Sequence, residues 1–185
     1  MKNTNLLPEK SMLVVIDIQE RLAPAMSHLD TMLKKTGLLL EGGKLLGVDT
    51  VVTEQYPKGL GATVEAVKTH LEMDTALILE KTAFSCFGST EFCAQLTSLN
   101  PKTLVLCGIE THVCVLQTAR DAIARGYEVV LAVDAVSSRN DTDRETALDY
   151  LRGLGVHLRT VESILFDWLK DAKHPQFKPV SKLVR

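Results

Sequence analysis

Long apolar runs and basic clusters are both missing from this sequence. The longest apolar stretches have the length of a buried strand, well short of the roughly 18–20 residues that a membrane-spanning helix needs. No more than two lysines or arginines occur in succession, and the formal net charge is -2. The N-terminus is polar and lacks the apolar segment of a secretory signal peptide. These absences predict a cytoplasmic protein with no membrane and no nucleic-acid partner.

Disulfide and metal-ligand patterns are lacking as well. The four cysteines are Cys86, Cys93, Cys107 and Cys114; they form no C-x-x-C pair, and the five histidines contain no i, i+4 pair. We therefore expect four free thiols, no metal site and no cofactor. Three of these thiols are expected to be small core hydrophobes, so the exception has to be identified by its position.

Strand-like and helix-like segments alternate along the 185 residues, which we expect to form a single domain, 1–185. Strands are predicted at residues 12–18, 49–53, 75–79, 103–107, 128–133 and 156–161. Helices are predicted at residues 29–46, 62–69, 90–97, 115–125, 142–153 and 162–170, with a C-terminal tail at 173–185. This alternation is typical of a three-layer α/β/α sandwich with a mostly parallel, Rossmann-like sheet. Ligands bind such sheets at the carboxyl ends of the strands.

Three residues with chemical potential lie at or just past predicted strand ends. Asp17 lies at the end of the first strand, Lys81 follows the third, and Cys114 lies between the fourth strand and the next helix. The alternatives are ordinary: a turn aspartate, a surface lysine and a packing thiol. If the three side chains converge, they form a nucleophile with a base and a supporting cation.

Cys114 is the nucleophile candidate because of its place at a helix start. Unpaired backbone N–H groups and the helix dipole favour a thiolate there, and a nearby lysine lowers a thiol pKa further. The same amides can bind a developing oxyanion.

Four segments together resemble the isochorismatase-like cysteine hydrolase family. They are LVVIDIQ (13–19), EKTAFS (80–85), GIETHVCV (108–115) and DAVSSR (134–139), and their order and spacing fit nearly the whole chain. The segment TEQYPKGLG (53–61) is most similar to the isochorismatase domain-containing subgroup. The resemblance implies a six-stranded parallel sheet and a catalytic triad of Asp17, Lys81 and Cys114.

Family chemistry implies a role for each member of the triad. Asp17 takes the proton of the Cys114 thiol, the sulfur attacks a carbonyl carbon to give a thioester-type intermediate, and Lys81 supports the site. The resemblance also implies a non-proline cis peptide between Ile109 and Glu110. The backbone N–H groups of Glu110 and Cys114 would then form the oxyanion hole.

Other positions are less specific. The candidate substrate-binding residues are Gln19, Tyr56, Phe84 and Ile109. For His112 a direct catalytic role is weighed against packing beside the site, and for Asp134 a place near the pocket is weighed against capping of its own loop.

Three functions stay open from the sequence. The leading one is a metal-independent hydrolase of the amidase type, acting on a small amide, because the stretch after the second strand has no histidine where nicotinamide-deamidating relatives bind a metal. The alternatives are a vinyl-ether hydrolase of the isochorismatase type and a non-catalytic protein that keeps the fold for binding or assembly. The resemblance further implies a homo-oligomer, with the C-terminal tail as an exchange arm.

Overall fold

Six strands form one parallel sheet in the computed structural model, which describes residues 6–72 and 76–185. The strands are β1 (Ser11–Ile16), β2 (Asp49–Gln55), β3 (Leu77–Lys81), β4 (Thr103–Ile109), β5 (Glu128–Ser137) and β6 (His157–Arg159). Their order across the sheet is β3-β2-β1-β4-β5-β6. The predicted α/β class and the six-stranded parallel sheet are confirmed.

Helices connect successive strands. They are α1 (Leu29–Leu45), α2 (Pro57–Leu60), α3 (Glu65–Lys68), α4 (Thr90–Leu99), α5 (Leu116–Ala124), α6 (Asp141–Gly153), α7 (Val161–Leu169) and α8 (Phe177–Leu183). A π-helical turn, Thr111–Val115, leads directly into α5. Among the described residues no helix is both long and apolar enough to cross a bilayer.

The strands are apolar throughout because both faces of the sheet are covered. Every residue of β1 is buried. Leu13 and Val15 pack in the core beneath α1 and α7, whereas Met12, Val14 and Ile16 pack in the opposite core beneath α4, α5 and α6. Successive side chains of a strand point to opposite faces, so a strand covered on both sides has to be apolar at every position.

Two strands differ from their predicted bounds in ways that bear on the site. β3 begins at Leu77 and ends at Lys81, so Lys81 is the last strand residue; the predicted start at Thr75 lies outside the described residues. β5 continues to Ser137, past Asp134. The polar Asp134 is tolerated inside this strand because its carboxylate accepts the Val161 N–H of α7 at 2.8 Å.

This placement corrects the interpretation of Asp134, which neither ends a strand nor caps its own loop. It caps the start of α7 and lies 3.5 Å from the ammonium of Lys35.

The predicted C-terminal tail is instead partly helical and packed on its own chain. Val180 of α8 is fully buried in the core that α1 and α7 share, and Phe177 and Val184 pack against that core. Pro179 is compatible with the helix because it lies in the first turn, where no intrahelical N–H bond is lost. Within this chain the apolar side chains of α8 already have partners, and the exchange arm stays a prediction.

Gly108 permits β4 to approach β1 at the edge that carries the site. Its φ is +114°, and a β-carbon there would lie 2.1 Å from the carbonyl oxygen of Ile16, its register partner. No side chain fits at that distance, so the sequence at this position is restricted to glycine.

We expect Gly108→Ala to lower the free energy of unfolding by about 3 kcal/mol or more, since it adds both backbone strain and overlap with β1. Urea unfolding measures this change. Gly153→Ala is the matched control, because a β-carbon at Gly153 meets no atom within 4 Å and the loss of backbone entropy in the unfolded chain is slightly stabilising. Equal unfolding midpoints for the two variants would contradict the close approach.

Candidate active site

Asp17 lies directly after β1, with its side chain fully buried. Its backbone has the left-handed conformation, φ 54°, which aspartate tolerates better than most residues. Oδ1 accepts the hydroxyl hydrogen of Thr53 at 2.8 Å, and the Asp17 N–H donates to the Thr53 carbonyl at 3.1 Å. The turn out of β1 therefore directs the carboxylate back toward β2.

Lys81 reaches the same carboxylate from β3. Its Nζ donates to Asp17 Oδ2 at 2.6 Å and to Gln55 Oε1 at 2.7 Å, and it also lies 3.2 and 3.1 Å from the carbonyl oxygens of Ala83 and Phe84. Burial is the largest single effect and lowers the pKa of the Lys81 ammonium. The negative charge of Asp17, the smaller effects of Cys114 and Cys86, and the hydrogen bond to Asp17 together outweigh burial, and the pKa is raised. Lys81 therefore stays charged and fully hydrogen-bonded.

The thiol of Cys114 completes this group. Cys114 lies in the π-helical turn before α5, is 5% exposed, and is close enough to Asp17 for that carboxylate to raise the pKa of the thiol. Cys86 and Cys107 are buried and Cys93 is partly exposed; all four are free thiols. The structure thus brings Asp17, Lys81 and Cys114 together at the carboxyl edge of the sheet.

The charge state of Cys114 differs from the expected thiolate. Burial and the negative charge of Asp17 raise its pKa well above the usual range of a thiol, and the opposing effect of Lys81 is smaller. Helix position alone therefore does not decide the ionisation of this sulfur. Cys114 is therefore a neutral thiol beside the Asp17 carboxylate.

The peptide bond between Ile109 and Glu110 is cis. Within residues 6–72 and 76–185, no protein acceptor is hydrogen-bonded to the backbone N–H of Glu110. The carbonyl of the same residue accepts from Val113 and Val115, at 3.1 and 3.3 Å, within the turn that carries Cys114. The Glu110 carbonyl therefore helps to close the turn that carries Cys114, while the Glu110 N–H stays available for a ligand.

Contacts with the end of β5 hold this turn in place. The Thr111 hydroxyl donates to the Ser137 carbonyl at 2.9 Å, and Arg139 donates to the Glu110 carboxylate from both its backbone N–H and Nε, at 3.2 and 3.1 Å. The His112 ring lies 3.0 Å from the Ser138 hydroxyl. His112 is thus bonded to Ser138, the residue that follows β5, whereas the Cys114 thiol lies beside Asp17.

Gln19 has a structural position in this chain. Its Nε2 donates to the carbonyls of Gln55 and Gly61, at 3.0 and 2.7 Å, and its Oε1 accepts the Gln55 N–H at 2.7 Å. These bonds use the amide group on backbone partners, so Gln19 anchors the loop that carries Tyr56 rather than facing a ligand.

The other three candidate substrate residues divide by exposure. Tyr56 and Phe84 are exposed, at 55% and 53%, on either side of Lys81, whereas the Ile109 side chain is fully buried in the core. The Ile109 side chain therefore has no open surface for a ligand. A cleft of about 390 Å³ lies along β3; its lining includes Tyr56 and Lys81 but neither Asp17 nor Cys114.

Two polar contacts at the site were not predicted from the sequence. Gln55 accepts a hydrogen bond from Lys81, and Thr53 donates one to Asp17. Gln55 is the last residue of β2, so the rule that strand ends carry the site would have identified it. Thr53 lies inside the strand and looks like an ordinary β-branched strand residue.

The carboxylate and the amide at the end of β2 are directed to protein partners. Glu54 Oε1 accepts the backbone N–H and the hydroxyl of Thr63, at 2.6 and 2.7 Å, and Gln55 is engaged with Lys81. Across the described ranges, no group of three or more His, Cys, Asp or Glu side chains is arranged to hold a metal ion.

We expect Lys81→Met to lower the free energy of unfolding by about 3–5 kcal/mol at neutral pH, because it leaves a buried carboxylate without its counter-charge. Adding Asp17→Asn removes that charge, so the double variant should be more stable than Lys81→Met alone. Chemical denaturation of the two single variants and the double variant measures the coupling.

Arg152→Met is the control for this cycle. Arg152 pairs with Asp149 on the exposed surface of α6, where such pairs contribute at most about 1 kcal/mol. If Lys81→Met were no more costly than Arg152→Met, the Asp17–Lys81 pair would not be a determinant of stability.

Comparison with known proteins places these features in a family. The family model described as Isochorismatase domain matches residues 11–163. Isochorismatase domain-containing protein 1 of Danio rerio is 40% identical over 185 residues, covering 98% of this chain, and the chain spans 63% of the length of that relative. The same share, 63%, holds for the Salmo salar protein of that name.

Solved structures also resemble this chain. The MAR1 ribonuclease of Caenorhabditis elegans has a TM-score of 0.92 and 38% identity, covering 98% of this chain and 92% of that chain. The Escherichia coli YcaC gene product, described as an octameric hydrolase of unknown specificity, has a TM-score of 0.91 at 20% identity and covers 99% and 90%, a likeness that concerns the fold alone. On the family match and the identity to these relatives, the chain belongs to the isochorismatase family.

Proposed function

We propose that this protein is a metal-independent cysteine hydrolase that acts on a small amide through a thioester intermediate. One observation carries the proposal: a single buried carboxylate, Asp17, is hydrogen-bonded to the ammonium of Lys81 and lies beside the thiol of Cys114, whose pKa it raises. A nucleophile in contact with its base, which is in turn held by a third group, is the arrangement that covalent catalysis requires.

The first step transfers one proton and forms one bond. The Cys114 sulfur attacks the carbonyl carbon of the substrate while its proton passes to Asp17. Because the resting thiol is neutral, with its pKa raised by burial and by Asp17, proton transfer has to accompany the attack. The oxyanion that develops accepts hydrogen bonds from the backbone N–H groups of Glu110 and Cys114.

The second half of the reaction returns the proton and adds water. The tetrahedral intermediate collapses, the C–N bond breaks, and Asp17 gives its proton to the leaving amine. Asp17, charged again, takes a proton from a water molecule that attacks the thioester, which releases a carboxylic acid and restores the thiol.

Lys81 keeps the base available in this scheme. With its own pKa raised by Asp17, the ammonium remains charged and favours the ionised carboxylate between turnovers. It holds Asp17 in place without taking part in bond formation.

The burial of the sulfur supports a small substrate. Cys114 is only 5% exposed, so a bulky acyl group has little access to it. Tyr56 and Phe84, which flank Lys81, are the candidate walls for substrate binding. We propose no cofactor. We also propose no nucleic-acid partner, since the formal net charge is -2 and no run of more than two basic residues is present.

Two other functions remain alternatives to acyl chemistry. A vinyl-ether hydrolase would use Asp17 as an acid and would not need the thiol, and a non-catalytic binding protein would need neither. The proximity of Asp17 and Cys114 favours the thiol-dependent reaction, because neither alternative needs a thiol beside the buried carboxylate.

A screen of small primary amides, monitored by release of amine and by mass spectrometry of the intact protein, tests the proposal. We expect turnover of at least one amide, an acyl adduct on Cys114 after acid quench, and loss of both in Cys114→Ala. Cys93→Ala is the matched control and should retain both. Amide turnover that survives in Cys114→Ala would defeat the thioester route.

An RNA oligonucleotide belongs in the same screen because the Caenorhabditis elegans neighbour is named a ribonuclease. We expect no cleavage of RNA by this chain. Cleavage that requires Asp17 but not Cys114 would contradict the proposed reaction class.

We also propose that the protein assembles as a homo-oligomer. Tyr56 and Phe84 leave two large aromatic side chains exposed at the carboxyl edge of the sheet, and covering them stabilises association. Light scattering should give a mass that is a multiple of the 20.4 kDa chain. A monomeric mass over the micromolar range would exclude the assembly.

A further inference from the structure

Thr53 lies beneath the Asp17 carboxylate and is almost completely buried. Ile16 and Thr53 are register partners in the β1–β2 ladder, so the turn after Ile16 sets Asp17 directly beside Thr53. Two bonds join the pair in opposite directions: the Thr53 hydroxyl donates to Asp17 Oδ1 at 2.8 Å, and the Asp17 N–H donates to the Thr53 carbonyl at 3.1 Å.

A second buried group determines which way the Thr53 hydroxyl points. The Cys86 sulfur lies 3.9 Å from Thr53 Oγ1, and the Cys86 backbone N–H donates to the Thr118 hydroxyl at 3.0 Å. Burial raises the pKa of the Cys86 thiol to about 11, so this sulfur keeps its hydrogen and acts as a weak donor toward Thr53. The hydroxyl hydrogen of Thr53 is then left for Asp17.

We infer that Thr53 is a positioning residue for the base, an inference that rests on the proposed thiol-dependent function. Thr53 binds Oδ1 and Lys81 binds Oδ2. Two donors on different oxygens fix the plane of the carboxylate, whereas Lys81 alone would leave it free to rotate about the Cβ–Cγ bond. The fixed plane keeps Asp17 oriented toward the Cys114 thiol.

The hydroxyl also favours the charged form of the base. A hydrogen bond to an ionised group contributes more than one to a neutral group, so loss of the hydroxyl shifts the acid side of any Asp17-dependent rate to higher pH. A residue that merely filled the core would leave that pH dependence unchanged.

Alkylation by iodoacetamide tests this inference without a known substrate. Rates at Cys114 and Cys93 are measured by mass spectrometry of peptides between about pH 3 and 9, a range that includes the usual titration of a carboxyl group. Burial and the raised pKa alone would make alkylation of Cys114 slower than alkylation of the partly exposed Cys93. We expect base assistance by Asp17 to make Cys114 react faster than Cys93 in the unchanged protein. Asp17→Asn should abolish this difference in rate.

Thr53→Val removes the hydroxyl at nearly constant shape. We expect the acid limb of the Cys114 rate to move up by about one pH unit, with roughly tenfold slower labelling at low pH. The Cys93 rate should not change. Thr36→Val is the control, since Thr36 is equally buried but its hydroxyl contacts only Met32.

A second pair of variants keeps the test decisive if Thr53→Val folds poorly. Thr53→Ser and Thr53→Ala both lose the methyl group, but only the alanine loses the hydroxyl. If Thr53→Ser keeps the pH dependence of Cys114 alkylation seen in the unchanged protein and Thr53→Ala does not, the positioning role is supported. Equal behaviour of the two variants overturns it.

The two proposals fail differently. If Cys114 in the unchanged protein labels no faster than Cys93, the proposed function is wrong and the role of Thr53 with it. If Cys114 is fast and depends on Asp17 but Thr53→Val keeps both the rate and the acid limb, only the inference about Thr53 is wrong.

Discussion

The buried ion pair between Asp17 and Lys81 is the constraint on which the rest of the site depends. The two side chains meet at 2.6 Å and are almost completely excluded from solvent. They come from β1 and β3, which are separated by β2 and therefore by roughly 10 Å of sheet. A lysine is long enough to cross that distance above β2, and the end of β2 supplies the neutral polar groups, Thr53 and Gln55, that complete the hydrogen bonds of both charges.

The second constraint is the turn that carries Cys114, which is held from the β5 side. Thr111 and Glu110 are bonded to Ser137 and Arg139, so the end of β5 fixes the position of the turn relative to β1. Gly108 makes this possible, because only a residue without a β-carbon lets β4 lie so close to the Ile16 carbonyl. The thiol and the carboxylate thus approach each other from two separately braced strand ends, so the proposed proton transfer between them needs no rearrangement of the backbone.

Much of this arrangement is predictable from local sequence. The uninterrupted apolar run of β1 predicts a strand covered on both faces, and the alternation with helices predicts a parallel sheet with its site at the carboxyl edge. The positions of Asp17, Lys81 and Cys114 at strand ends then single out these residues. Prediction of strand bounds is weaker where a polar residue has a partner far away in the sequence. From the sequence, Asp134 marks the end of β5. In the structure, its bond to the start of α7 explains why the strand continues past it. Likewise, residues 173–185 looked like a free tail because the apolar residues of α8 are few and the core that receives them is formed by helices far away in the chain.

The sequence by itself determined the fold class, the order of the elements and the set of residues able to form the site, because these depend on local periodicity and on the chemical nature of each side chain. Tertiary structure alone decided the strand order, the contacts of Thr53 and Gln55, and the protonation state of Cys114. A thiol at the start of a helix and near a lysine is expected to ionise easily, yet burial beside a carboxylate reverses that expectation. Desolvation and the charges of neighbours act through space, and only the folded chain brings the neighbours together.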